Sequence, residues 1–71
     1  MTRGFRAVVR HRKSGELEVR LHRWQDGRWR YCGSAYGDEI TYNPVGSMLQ
    51  VRNNGVPHTV ILDVEEMEEA E

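Results

Sequence analysis

Six arginines, one histidine and one tryptophan carry most of the chemical capability of this 71-residue sequence. Arg6, Arg10, Arg12, Arg20, Arg28 and Arg30 recur through apolar–basic alternations, with His22 and Trp24 among them. Guanidinium forks bind phosphate or carboxylate oxygens two at a time. An exposed indole offers a stacking surface worth about 1–3 kcal/mol per base. Gathered on one strand face, these residues are what single-stranded nucleic-acid binding requires. The same set suits an acidic protein surface. Against a nucleic acid stand the interspersed Glu16 and Glu18 and a pI of 6.3, low for such a domain. The plainer account is a solvated strand face that keeps a sheet soluble.

The second constellation is acidic. Asp63, Glu65, Glu66, Glu68, Glu69 and Glu71 put six carboxylates into nine residues. They could dock on the basic face, imitate phosphate toward a nucleic-acid-binding partner, or only solubilise the chain. The net charge of −1 conceals this split: residues 1–36 carry nine Arg/Lys against three acids (+6), and residues 37–71 one Arg against eight acids (−7). The two ends could also neutralise each other, within one fold or between subunits.

Other chemistry has little support. His11, His22, His58 and Cys32 show neither C-x-x-C nor H-x-x-x-H spacing, so no metal site is expected. Cys32 stands near Arg30, but no base and orienting residue accompany it. The glycines occur singly, at turns, and none builds a phosphate loop. No catalytic residue, cofactor or small-molecule substrate is expected. The segment Trp24–Trp29 is loosely similar to the aromatic hairpins of choline-binding repeats. Those recur in tandem, whereas this one occurs once.

The elements that must position these residues are strands. At this length one domain is expected, with a thin core, since such a chain buries only about 60% of its unfolded surface. No apolar run nears the roughly 18 residues of a membrane span. The arginines in MTRGFRAVVRHR argue against a secretory signal, and a single cysteine suits a reducing compartment. The expected location is therefore cytoplasmic (inside the host cell for a viral protein), with no membrane partner.

Phe5–Arg12 alternates with period 2 and predicts a first strand. A three-residue Lys13-Ser14-Gly15 loop, with Gly15 left-handed, pairs Val9 with Val19 and Ala7 with Leu21, and sets Arg10 opposite Glu18 and Arg12 opposite Glu16. At Gln25-Asp26-Gly27 a two-residue turn would face Trp24 with Trp29, but would put Leu21 and Val19 on the face of Arg28 and Arg30. A three-residue loop pairs Leu21 with Tyr31 and Arg23 with Trp29. It separates apolar from polar more cleanly and is preferred. That register gathers all six arginines, His22 and Trp24 on one face.

Tyr36–Glu39 reads as a turn, Ile40–Tyr42 as a short strand, and Asn43-Pro44-Val45-Gly46 as a type I turn. Ser47–Arg52 and Val56–Val64 form a hairpin about a two-residue Asn54-Gly55 turn, which pairs Leu49 with Val60 and Val51 with His58 and keeps Leu62 and Val64 on that face. The residues from Asp63 onward could make two helical turns behind a capping box, or fray.

The expected fold is all-β: a small barrel or bent antiparallel sheet of five to six short strands, with a short acidic C-terminal helix or frayed tail. Residues 1–64 would be the β domain and 65–71 the tail. The expected core is Phe5, Ala7, Val9, Leu17, Val19, Leu21, Trp29, Tyr31, Ile40, Tyr42, Leu49, Val51, Val60, Leu62 and Val64. Val8, Trp24, Met48 and Ile61 fall on the opposite faces. The expected function is a non-enzymatic binding module for nucleic acid. The alternatives are a protein-interaction module, such as a small phage or bacterial accessory or inhibitor protein, and a self-associating structural subunit.

Overall fold

The computed structural model describes residues 4–70. They form seven strands and no helix: β1 (Phe5–His11), β2 (Leu17–Gln25), β3 (Arg28–Gly37), β4 (Glu39–Asn43), β5 (Met48–Asn53), β6 (Val56–Ile61) and β7 (Val64–Ala70). The strands make two sheets, one of order β3-β2-β1-β7 and one of order β4-β5-β6. The protein is all-β, and its sheets do not close into a barrel. All pairings are antiparallel except β1 with β7, which is parallel.

The β1–β2 hairpin follows from its alternation and its glycine. Ala7 faces Leu21, Val9 faces Val19 and Arg10 faces Glu18. Gly15 is left-handed (φ 87°), and the loop closes with Arg12 N–H donating to the Glu16 carbonyl at 2.9 Å.

The other two glycine hairpins each carry a bulge, and there the expected registers fail. Asp26 and Gly27 form a two-residue turn with φ of 52° and 79°, the positive pair that matches the twist of flanking strands. Trp24 therefore stands opposite Trp29, and His22 opposite Tyr31. In a regular ladder this register would misplace the apolar residues. A bulge at Cys32 restores them, because Leu21 then faces Gly33 and Val19 faces Ala35. The first half of β3 thus turns Trp29 and Tyr31 outward and Arg28 and Arg30 to the opposite face. The second half turns Gly33, Ala35 and Gly37 inward. At β5–β6 the Asn54-Gly55 turn forms as expected, but a bulge at His58 puts Leu49 opposite Ile61 and Val51 opposite Thr59. Ile61 is consequently buried, while Val60 and Leu62 are exposed. The β4–β5 connection is also displaced by one residue: the reverse turn spans Pro44–Ser47, with Ser47 N–H donating to the Pro44 carbonyl at 3.3 Å.

The acidic end is a strand, not a helix. Residues 65–70 continue β7 from the buried Val64 and run along β1, placing Glu66 and Glu68 beside Arg6 and Val8. A helix there would have set carboxylates against its own negative end. The strand instead fills the hydrogen-bonding edge of β1 and gives the carboxylates cationic neighbours.

The core is Ala7, Val9, Val19, Leu49, Val51, Ile61 and Val64, flanked by half-buried Phe5, Leu17, Leu21, Ala35, Ile40 and Tyr42. Trp29, Tyr31, Val60 and Leu62 are not part of it. Two corners tie the sheets together. At one, Asp38 N–H donates to the Arg52 carbonyl (3.0 Å) and His58 Nε2 meets the Tyr36 carbonyl (2.8 Å). At the other, the Tyr42 hydroxyl donates to the Val64 carbonyl (2.9 Å) and Val64 N–H to the Ser47 carbonyl (3.0 Å).

Candidate nucleic-acid interface

The outer face of the four-stranded sheet, away from the core, collects most of the side chains singled out above. Across β2 and β3 it is a ladder of paired residues: Trp24 with Trp29, His22 with Tyr31, Arg20 with Ser34 and Glu18 with Tyr36. Strand alternation supplies one side of each pair. The tight turn and the bulge at Cys32 supply the other. From Trp24 to Glu18 the ladder runs six residues, about 20 Å at the usual rise.

The far end of the ladder is aromatic. The indoles of Trp24 and Trp29 meet edge to face, with centroids 5.5 Å apart and planes at 79°. His22 and Tyr31 repeat the arrangement at 5.8 Å and 68°. Both pairs have the geometry that the ring quadrupole favours. Tyr31 is 60% exposed, and its hydroxyl hydrogen-bonds Ser34 Oγ at 2.7 Å.

The near end is basic. Arg10, His11, Arg12, Lys13, Ser14, Glu18, Arg20 and Tyr36 line an open concavity of about 520 Å³ at the β1–β2 turn. Glu18 forms its floor and is only 8% exposed. Its carboxylate accepts hydrogen bonds from the Tyr36 hydroxyl (3.0 Å) and from Arg20 Nε (3.1 Å). The Tyr36 hydrogen bond, helped by the Arg20 and Arg10 charges against the opposing cost of desolvation, holds the Glu18 carboxyl below the usual carboxylate range. The same bond pushes the Tyr36 phenol above its ordinary value. The Arg12 guanidinium lies over the Tyr36 ring, 5.4 Å from its centroid, and reaches Glu16 at 3.7 Å. Arg10 and Lys13 make no ion pair among the described residues.

The remaining arginines are disposed differently. Arg6 is on the outer face, but Glu66 (3.6 Å) and Glu68 both pair with it. Arg28 and Arg30 do not join the face. With Trp29 and Tyr31 turned outward, the period-2 alternation sends both arginines to the other side, where Arg30 reaches Asp26 at 3.7 Å. Arg23 is there too, its guanidinium 4.9 Å from the Phe5 ring centroid.

The acidic residues are likewise divided. Asp63 is left-handed (φ 60°), and its carbonyl accepts from Phe5 N–H at 2.8 Å. Glu65 accepts from Gly4 N–H at 2.9 Å, and Glu69 meets His11 Nε2 at 2.8 Å. Glu71 lies outside the described residues.

Trp29 and Tyr31, expected in the core, and Tyr36 and Lys13, expected in turns, also belong to the face. A signal for the β3 residues was present. Gly33, Ala35 and Gly37 are small residues at period 2, suited to a strand face pressed against another sheet. Among the described residues no group of three or more His, Cys, Asp or Glu could hold a metal ion, and no helix is long and apolar enough to cross a membrane. Comparison with known proteins gives no match: no family model, no curated protein and no solved structure is similar to this chain.

Proposed function

We propose that the protein binds single-stranded nucleic acid along the outer face of its four-stranded sheet. The observation that carries this reading is the alignment of the two aromatic pairs, Trp24–Trp29 and His22–Tyr31, with the concavity formed by Arg10, Arg12, Lys13 and Arg20. Bases stack on the aromatic end without regard to sequence, and the cations take phosphate oxygens. Arg6 contributes little, because Glu66 and Glu68 occupy it, and Arg28 and Arg30 lie on the other side.

Fluorescence anisotropy with labelled single- and double-stranded oligonucleotides of matched sequence tests the reading. Single strands should bind more tightly. With about three phosphates contacted at about 0.7 each, log K should fall with log salt at a slope of roughly −2. Absence of binding to any oligonucleotide at low salt would reject the proposal.

A second reading, a protein-interaction module, has a separate observation behind it. Val56 (64% exposed), Val60 (52%) and Leu62 (59%) leave apolar side chains uncovered along one edge strand and its exit. If nucleic acid fails to bind, and Val60→Asp with Leu62→Asp abolishes capture of a partner by the folded protein, this reading replaces the first.

A further inference from the structure

We propose that the concavity at the β1–β2 turn seats a phosphate monoester, the terminal phosphate of a single strand whose first bases stack on the adjoining aromatic pairs. The inference rests on the nucleic-acid reading of the same face. Charge is the first ground. Arg10, Arg12, Lys13 and Arg20 line the concavity against one carboxylate, Glu18, a formal excess of +3. Counting Glu16, which Arg12 reaches, leaves +2. Glu69 lies beyond, facing His11. A phosphodiester within a strand carries a single negative charge. A phosphate monoester carries about −1.5 to −2 at pH 7, so the excess matches an end and not an internal linkage.

The second ground is that the one carboxylate in the concavity is already committed. Glu18 is held by Tyr36 and Arg20 Nε at the floor, so it orients those groups and does not occupy the free cations. Arg20 spends only Nε on it, and its terminal nitrogens make no further hydrogen bond or ion pair among the described residues. The third ground is distance. Arg20 is two residues along β2 from His22 and four from Trp24, about 7 and 13 Å. An anchored terminal phosphate therefore leaves its first bases over the His22–Tyr31 and Trp24–Trp29 pairs.

Anisotropy on the intact chain tests this with three single-stranded oligonucleotides of one sequence: 5′-phosphorylated, 3′-phosphorylated and ending in hydroxyls at both termini. One of the phosphorylated strands should bind about tenfold more tightly than the hydroxyl-ended strand. In Arg10→Gln/Lys13→Gln that ratio should collapse to within about twofold. In Trp24→Ala both strands should weaken while the ratio persists. Equal binding of all three strands overturns the terminal-phosphate seat and leaves the nucleic-acid reading standing. Binding of none overturns both.

Discussion

Glu18 and Tyr36 face each other across β2 and β3, and the phenol donates a 3.0 Å hydrogen bond to a carboxylate that is almost fully buried. This contact joins, at the basic concavity, the two strands that share the aromatic pairs, and it makes stability depend on pH in two directions. The Glu18 carboxyl titrates below its ordinary 4.5 in the folded protein, so its contribution is complete above that value and is lost as the pH falls through the lowered one. The Tyr36 phenol titrates above 10.0, so its contribution is complete below pH 10 and is lost as the pH rises through the raised value. Tyr36→Phe should lower Tm at neutral pH and flatten both the acid and the alkaline limbs of Tm against pH. Limbs parallel to those of the parent protein would contradict the assignment.

Trp24 and Trp29 should be energetically coupled. An edge-to-face pair contributes about 0.5–1.5 kcal/mol beyond the area it buries. A double-mutant cycle of Trp24→Ala and Trp29→Ala, followed by urea denaturation, should return a coupling of that size. Far-ultraviolet circular dichroism should show a tryptophan exciton couplet that either single variant removes. A coupling of zero would mean the indoles are apart in solution, as in the three-residue-loop register.

Gly37→Ala should be among the most damaging conservative changes. A Cβ there would lie 2.6 Å from the Arg52 carbonyl oxygen and 2.7 Å from Val51 Cγ1. Neither neighbour can withdraw easily, since Val51 is fully buried and the Arg52 carbonyl accepts from Asp38 N–H. The expected cost is about 1–3 kcal/mol, typical of overpacking. Gly33→Ala, where a Cβ meets nothing within 4 Å, is the control and should cost less.

Glu66→Gln with Glu68→Gln should strengthen oligonucleotide binding. Both carboxylates pair with Arg6 at the edge of the proposed interface, and half of their side-chain surface is exposed. An exposed pair is worth about 0.2–1 kcal/mol, so the freed guanidinium should raise affinity by a factor of about 1.4–5 in the anisotropy assay. Unchanged affinity would place Arg6 outside the path of the nucleic acid.

Much of this molecule is legible along the chain. Alternation in Phe5–His11 and Leu17–Gln25 marks two strands. Gly15 specifies its three-residue loop, because the cross-strand partners it creates satisfy both faces at once. Asn54-Gly55 marks its turn. The core members Ala7, Val9, Val19, Leu49, Val51 and Val64 follow from those local signals. In the proposed interface Arg10, Arg12, Arg20, His22 and Trp24 were recognisable by type and parity.

The bulges at Cys32 and His58 were decided by tertiary packing. Parity along a strand holds only while the ladder is regular. One extra residue reverses it, and the reward for inserting one comes from the other sheet. Gly37, with no Cβ to meet the Arg52 carbonyl and Val51, lets β5 approach, and Ile61 in place of Val60 fills the space opposite Leu49. That exchange moved Trp29 and Tyr31 from the expected core to the outer face and took Arg28 and Arg30 off it. The acidic end was decided in the same way. Its composition suits a frayed segment, and only the open edge of β1, with Arg6 and His11 along it, makes it a strand. Residue type and local alternation thus marked the side chains on which the proposed interface draws. The packing of one sheet on the other determined which of them share a face.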